Sequence, residues 1–343
     1  MRSPPAAAGR NAVWEWWRDG VGVVVGPITR GMTESVLEPA RVLVAFDGSP
    51  VARAALGYAF DRVGEDGEVI AVYVAATGPR EWAGTAYEAR FLARQRAHGR
   101  EVLEALEAQT PGLRLRTQLA EGPAAATLVR NADELAAEEI VAGSRGYGPV
   151  RALVGSVAHA LLHETDRPLA VVPAAILGAV RQGRAGAVVV GYDGSPTAKD
   201  ALAHAAYRAG RDGRLIVVYA YEPPRGTWPT PIALQASADS LALGRELIDA
   251  LEDDWAGGSA LQRELSEGPA PAALIQVARE HEADEIVVGS RGHGRFRAAL
   301  GSVAHTLVND TERPVVVVPQ SAVAEEEAAE RRRVWVRRLP PRS

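Results

Sequence analysis

The stretch GSRGYGPVRALVGSVAHALL at residues 143–162 returns as GSRGHGRFRAALGSVAHTLV at residues 289–308. The interval between the two stretches is 146 residues, and the same interval separates Asp47 from Asp193. A constant interval over most of the chain indicates two copies of one folding unit in tandem. Because this unit is much longer than the roughly 20 to 50 residues of a solenoid repeat, each copy is expected to bury its own core.

Short β-branched runs alternate with longer helical stretches inside each copy. In the first copy we predict strands at residues 41–46, 68–74, 113–119, 139–142 and 169–172, and helices at 51–63, 86–108, 124–137 and 151–164. Strands that alternate with helices of about ten or more residues indicate βαβ crossovers and a parallel sheet. The sequence therefore predicts the α/β class, with two tandem, doubly wound, Rossmann-like domains.

The repeat also predicts where the chain divides. It places an N-terminal extension at residues 1–39, a first domain at 40–174, a linker at 175–186, a second domain at 187–320 and a charged tail at 321–343. The extension is interpreted as a disordered arm or as sequence upstream of a true start at Met32, and an arm that docks through its tryptophans is the alternative. The tail is interpreted as a solvated or frayed segment, with a partner-binding segment as the alternative.

Composition excludes several classes of function. A formal net charge of −5 gives no reason to expect a nucleic-acid partner, and the absence of cysteine excludes disulfides, zinc–thiolate sites and thiol catalysis. No apolar run approaches the roughly 20 residues of a membrane-spanning helix, and no secretory signal is recognisable, so we expect no membrane association and a cytoplasmic location. The sole lysine, Lys199, follows Ala198, which rules out a Walker A loop.

Glycine-rich turns follow the first and fourth predicted strands of each copy. Asp47-Gly48-Ser49-Pro50 follows the first strand, and the turn that begins at Gly143 follows the fourth. Ligands of open parallel sheets bind outside the carboxyl ends of the strands, and glycine turns with helix-start amides favour anions. These turns predict a phosphate cradle with an acidic residue at its rim, although tight turns need glycine for their own conformation as well.

The motifs VAFDGSP, GSRGYGPVRALVGSVAHALL and DRPLAVVP, each present in both copies with small changes, are similar to those of the universal stress protein family. The resemblance covers both copies almost end to end. It implies a five-stranded parallel sheet of order 3-2-1-4-5 in each domain. It also implies a stress-response regulator or sensor that often binds ATP with a divalent metal such as magnesium or manganese.

The resemblance further implies an adenine-nucleotide site in each copy. In the first copy the implied residues are Asp47 by the nucleoside, Val74 by the adenine, Ala142 and Gly143 by the ribose, and Gly146, Gly155, Ser156 and Val157 around the phosphates. In the second copy they are Asp193, Ala220, Val288, Gly289, Gly292, Gly301, Ser302 and Val303. Two domains of the family usually pair about a pseudo-twofold axis through the last strand, here 169–172 against 315–318, and a further homodimer is left open.

The phosphate loop departs from the family pattern. ATP-binding members carry G-x2-G-x9-G-S/T, whereas only eight residues separate Gly146 from Gly155 and Gly292 from Gly301. Two alternatives therefore stay open beside nucleotide binding: an interaction module in which Val154 or Leu300 fills the phosphate position, and a slow ATPase. No base or nucleophile recurs in both copies, so no catalytic residue is assigned. No metal ligand is assigned either.

Overall fold

The computed structural model describes residues 40–63, 67–78, 80–144, 155–176, 186–210, 212–223, 230–251, 259–292 and 301–320. The interpretations of the N-terminal extension and of the charged tail lie outside these residues. The same is true of most of the linker and of Gly146, Val154 and Leu300.

Ten strands and eight α-helices alternate in the described part of the chain. The first half contains β1 (Arg41–Ala45), α1 (Pro50–Val63), β2 (Glu68–Ala76), α2 (Ala86–Gln109), β3 (Leu115–Gly122), α3 (Ala124–Glu134), β4 (Glu139–Gly143), α4 (Ser156–Glu164) and β5 (Leu169–Val172). The second half contains β6 (Ala187–Gly191), α5 (Pro196–Ala209), β7 (Arg214–Tyr221), α6 (Pro231–Asp249), β8 (Ala260–Glu267), α7 (Ala270–Glu280), β9 (Glu285–Gly289), α8 (Ser302–Asp310) and β10 (Val315–Val318). Short 3₁₀ helices lie at Arg80–Trp82 and Ala174–Ile176.

The strands form a single ten-stranded sheet of order β3-β2-β1-β4-β5-β10-β9-β6-β7-β8. Within each half neighbouring strands are parallel, and the predicted order 3-2-1-4-5 is confirmed. The halves join edge to edge through β5 and β10, which pair antiparallel with Val316 opposite Ala170. This pairing covers what would otherwise be an exposed edge strand in each half.

Both faces of the sheet are covered because the central strands are apolar throughout. Every residue of β5 and of β10 is buried. Successive side chains of a strand point to opposite faces, so Val316 joins the apolar cluster beside α1 and α5 while Val317 joins the one beside α3, α4, α7 and α8. Each cluster runs through both halves of the molecule, and the two halves therefore share one continuous core on each face.

Several predicted boundaries differ from the structure. The strand predicted at 113–119 lies at Leu115–Gly122 as β3, and the helix predicted at 151–164 is described as α4 from Ser156, with Gly155 as its N-cap. The predicted helix 124–137 ends as α3 at Glu134, because Leu135 caps it and Ala136 adopts a φ of 50°. A non-glycine residue in the left-handed region ends an α-helix. His281 and Glu282 end α7 in the same way.

Gly244 allows α6 to lie close against β7. A Cβ atom on Gly244 would lie 2.4 Å from a ring carbon of Tyr219, and Gly99 of α2 has the same relation to Tyr73. We expect Gly244→Ala to lower the free energy of unfolding by about 1–3 kcal/mol through overpacking. Helix propensity alone would raise the free energy of unfolding by about 1 kcal/mol. The sign of the change, measured by urea titration followed by circular dichroism, therefore separates overpacking from propensity. The exposed Ala238→Gly is the control for propensity on the same helix, and a stabilised Gly244→Ala variant would contradict the close contact.

Candidate functional site

The first and fourth strands of each half end side by side. Ala45 at the end of β1 pairs with Val72 of β2 and with Ala142 of β4. Asp47 follows Ala45 by two residues, so the chain leaves the sheet there between β2, which continues to Ala76, and the end of β4. The same register brings Asp193 to the ends of β7 and β9 in the second half.

Each aspartate builds the turn that carries it. The backbone N–H of Ser49 donates to Asp47 Oδ1 at 2.9 Å, and that of Ser195 donates to Asp193 Oδ1 at the same distance. The intervening glycines, Gly48 and Gly194, have φ values of 79° and 80°, a region that L side chains rarely adopt. The two turns are thus nearly identical, and each fixes its carboxylate at the edge of the sheet.

In the second half the aspartate lies against the glycine loop that follows β9. A Cβ atom on Gly292 would lie 2.6 Å from Asp193 Oδ2, and one on Gly289 would lie 2.9 Å from Thr197 Cβ. A Cβ atom at either position would force its neighbour to shift, because real Cβ atoms essentially never come so close. The structure therefore brings Asp193, Gly289 and Gly292 together, three residues that come from two separate segments.

Helices α4 and α8 begin at the same edge of the sheet. Gly155 donates its N–H to Ser144 O at 2.5 Å, and Gly301 donates to Ser290 O at 2.8 Å. Neither glycine supplies a side-chain cap to the first-turn amides. Uncapped amides at a helix start, together with the positive end of the helix dipole, attract anions.

The remaining candidate residues lie around these two edges. Ala142 and Val288 are buried, whereas Ser156 and Ser302 are exposed. The structure places at the two carboxyl edges Asp47, Val74, Ala142, Gly143, Gly155, Ser156 and Val157 in the first half and Asp193, Ala220, Val288, Gly289, Gly292, Gly301, Ser302 and Val303 in the second. One edge in each half thus offers a carboxylate, glycine turns and a helix start.

A model of the universal stress protein family matches residues 39–173 and again residues 186–319. The chain belongs to the universal stress protein family. It is 29% identical over 294 residues to a universal stress protein of Mycolicibacterium smegmatis, which covers 81% of this chain and 96% of that protein. It is 32% identical over 317 residues to a universal stress protein of Mycobacterium tuberculosis, which covers 81% of this chain and 95% of that protein.

A solved structure shares the fold of this universal stress protein. The crystal structure of a universal stress protein from Archaeoglobus fulgidus DSM 4304 superposes with a TM-score of 0.58 and covers 82% of this chain and 97% of that chain. The sequence identity is 21%, so the likeness concerns the fold.

The histidines of α4 meet a histidine of the second half. The ring centroids of His159 and His163 lie 5.0 Å apart, and those of His159 and His305 lie 6.0 Å apart. Within the described residues, no set of three or more His, Cys, Asp or Glu side chains is arranged to hold a metal ion. No helix in the same part of the chain is long and apolar enough to cross a membrane.

Sequence reasoning missed a buried polar network at the opposite edge of this universal stress protein's sheet, between the halves. Arg208 of α5 donates from Nη1 to Glu139 Oε2 at 2.8 Å, and from Nε and Nη2 to the carboxylate of Glu285 at 2.9 and 2.7 Å. Tyr58 of α1 donates to Glu285 Oε2 at 2.5 Å and also contacts Arg208. The available signal was the recurrence of Arg62 as Arg208 and of Glu139 as Glu285.

The network sets the ionisation of its members. Burial opposes the charge on Glu285, but Arg208 and Arg62 outweigh it and hold the pKa of that carboxyl well below its usual range. Burial raises the pKa of Glu139 although Arg208 acts against it. Burial also raises the pKa of Tyr58, whose hydroxyl therefore stays a donor. The network joins Glu139 and Tyr58 of the first half to Arg208 and Glu285 of the second.

Proposed function

We propose that this universal stress protein binds ATP or a related adenine nucleotide, with magnesium or manganese, at the strand-one and strand-four loops, and acts as a stress-response regulator or sensor. The observation that carries the proposal is the contact of Asp193 with the glycine loop at Gly292, beside the uncapped start of α8. Family membership supports the same reading, because members of the family often bind ATP.

The chemistry of the site suggests which end of a nucleotide lies where. A carboxylate accepts hydrogen bonds from ribose hydroxyls or an adenine amino group but repels phosphate, which favours the nucleoside at Asp47 and Asp193. The backbone amides that open α4 and α8 suit the phosphates, and the exposed hydroxyls of Ser156 and Ser302 add donors. A divalent metal would be held mainly by the phosphate oxygens, as magnesium commonly is.

The eight-residue length of the phosphate loop is the observation that favours a second candidate function. If the loop closes the cradle, the protein is an interaction module without a nucleotide, and its two joined halves present their outer surfaces to a partner. This alternative predicts that ATP has no effect on the unfolding of the native protein.

Thermal unfolding with and without ATP tests the proposal. A ligand that binds only the native state raises the melting temperature, and at 100 times its Kd it adds about 2.7 kcal/mol to the free energy of unfolding. We expect millimolar ATP with magnesium or manganese to raise the melting temperature of the wild type. We expect Asp47→Ala combined with Asp193→Ala to lose that increase.

Two controls separate binding from folding. Asp47→Asn and Asp193→Asn keep an oxygen for the turn hydrogen bond while removing the charge, and Asp166→Ala removes an exposed carboxylate away from both edges. Asp166→Ala should respond to ATP as the wild type does. A wild type whose melting temperature is unchanged by millimolar ATP with either metal would refute nucleotide binding and favour the interaction module.

A further inference from the structure

The two candidate sites differ in a buried hydroxyl group in the first turn of the helix that follows the aspartate turn. Thr197 lies in the first turn of α5, is 3% exposed, and donates its hydroxyl hydrogen to the backbone carbonyl of Arg291. Its Oγ1 also lies 3.2 Å from Ser195 Oγ, within the turn that carries Asp193. This side chain therefore ties the turn after β6 to the loop after β9, two segments separated by 94 residues in the chain.

The first half carries no hydroxyl at the corresponding position. Val51 occupies the position of Thr197 in the first turn of α1 and is likewise buried. The surrounding turn is otherwise the same: Ser49 Oγ accepts the N–H of Ala52 at 3.2 Å, as Ser195 Oγ accepts that of Ala198. The Val51 side chain cannot donate a hydrogen bond, so it cannot form the bond that Thr197 makes.

The bond fixes the backbone at the centre of the second site. Arg291 precedes Gly292, whose Cα lies against the carboxylate of Asp193. Because a trans peptide is planar, a carbonyl of Arg291 held toward Thr197 also fixes the direction of the Gly292 N–H. Gly289 packs directly on Thr197, so loss of the hydroxyl should alter the backbone positions of both glycines of the loop.

We propose that the Thr197 hydroxyl preorganises the second site, so that the two sites are non-equivalent and the second binds an adenine nucleotide more tightly and fills first. This inference rests on the proposed function. A loop that is already held loses less conformational freedom when the ligand binds, so the entropy cost of binding is smaller and the affinity is higher. The free energy of one hydrogen bond corresponds to about a 3- to 10-fold difference in Kd.

Isothermal titration of the full chain with ATP and magnesium tests the inference, with each site measured alone. Asp47→Ala leaves the second site, and Asp193→Ala leaves the first. In the Asp47→Ala chain we expect Thr197→Val to raise Kd about 3- to 10-fold, and in the Asp193→Ala chain we expect it to change nothing. Val51→Thr in the Asp193→Ala chain should lower Kd by a similar factor, because it introduces the missing hydroxyl.

Further variants exclude a purely structural effect. Thr197→Ser keeps the hydroxyl and should retain the affinity, and thermal unfolding without nucleotide shows whether each variant is folded. Equal Kd values for the Asp47→Ala chain with and without Thr197→Val would overturn the inference alone. A wild type that binds no ATP would reject the proposed function together with the inference.

Discussion

Replacing Arg208 with methionine is expected to lower the free energy of unfolding by about 3–5 kcal/mol. The guanidinium side chain is 3% exposed and pairs with Glu139 at 2.8 Å and with Glu285 at 2.7 Å. Methionine fills much of the same volume but removes the guanidinium that pairs with both buried carboxylates, and it leaves Glu285 with the more distant Arg62. Because Glu139 and Glu285 belong to different halves, removal of the Arg208 guanidinium should also weaken the contact between the two halves.

Arg62 is the matched control for this prediction. It is the counterpart of Arg208 in the first copy, yet it lies 3.4 Å from Glu285 and its side chain is 19% exposed. Arg62→Met should therefore cost much less, on the order of 1 kcal/mol. The two variants are compared by urea unfolding followed by tryptophan fluorescence. Combining Arg208→Met with Glu139→Gln and Glu285→Gln should recover part of the loss, because the buried charges are removed together. Equal losses for Arg208→Met and Arg62→Met would contradict the central role of Arg208.

The fold could be predicted from the sequence because its determinants are local. Apolar strands, helical periodicity and turn glycines lie in short stretches, and the repeat shows each of them twice. The strand order and the edge that joins the halves came from the family resemblance rather than from periodicity. The end of α3 was predicted three residues too late, since nothing in the alanine-rich sequence shows that Ala136 takes a positive φ.

The buried network was not predictable in the same way. Arginine and glutamate are normally exposed, and Arg208 is buried only because α5 meets α1 and the starts of β4 and β9 across the two halves. The copies also differ at this point, since His204 stands where the first copy has Tyr58. Such a contact depends on how two domains dock, which no single stretch encodes.

The candidate site was predictable in part. The rule that ligands bind at the carboxyl ends of parallel strands predicted where Asp47 and Asp193 lie, while their role in binding stays a prediction. The hydrogen bond of Thr197 was missed, because it joins segments far apart in the chain and because Val51 at the equivalent position suggests an apolar contact.

The stability of the wild type relative to the Asp61→Asn variant is expected to fall as the pH rises from about 5 to about 7. Asp61 lies on α1 beside Arg62 and interacts with Asp284, which precedes β9 in the second half. Burial raises the pKa of Asp61 from 3.8 to about 7; Arg62 lowers it and Asp284 raises it. In this range the Asp61 carboxyl of the folded protein binds a proton that it has lost in the unfolded chain, so at this group each rise in pH favours unfolding.

His204 titrates over the same range in the opposite direction. Burial, followed by the charge of Arg208, lowers the pKa of His204 from 6.5 to about 3, so between pH 5 and 7 this histidine is neutral in the folded protein while the unfolded chain can bind a proton there. Its contribution to stability therefore rises with pH, and it is common to the wild type and the Asp61→Asn variant, so the comparison of the two proteins removes it. The pKa of Glu285 is lowered from 4.5, so its contribution is lost only at pH values below that. The raised pKa of Glu139 acts in the same direction as that of Asp61 and is likewise common to both proteins.

Urea unfolding at several pH values between 5 and 8 measures the effect. A shift of about three units corresponds to at most about 4 kcal/mol, of which about 2 kcal/mol remains between pH 5 and 7 after allowance for residual solvent contact. We expect Asp61→Asn to exceed the wild type in stability at pH 8, because the wild type must then either bury the charge or rearrange. The two proteins should become similar at pH 5, while the exposed Asp166→Asn should follow the wild type throughout. Parallel profiles for Asp61→Asn and the wild type would show that the Asp61 carboxyl does not hold a proton at the contact between the halves.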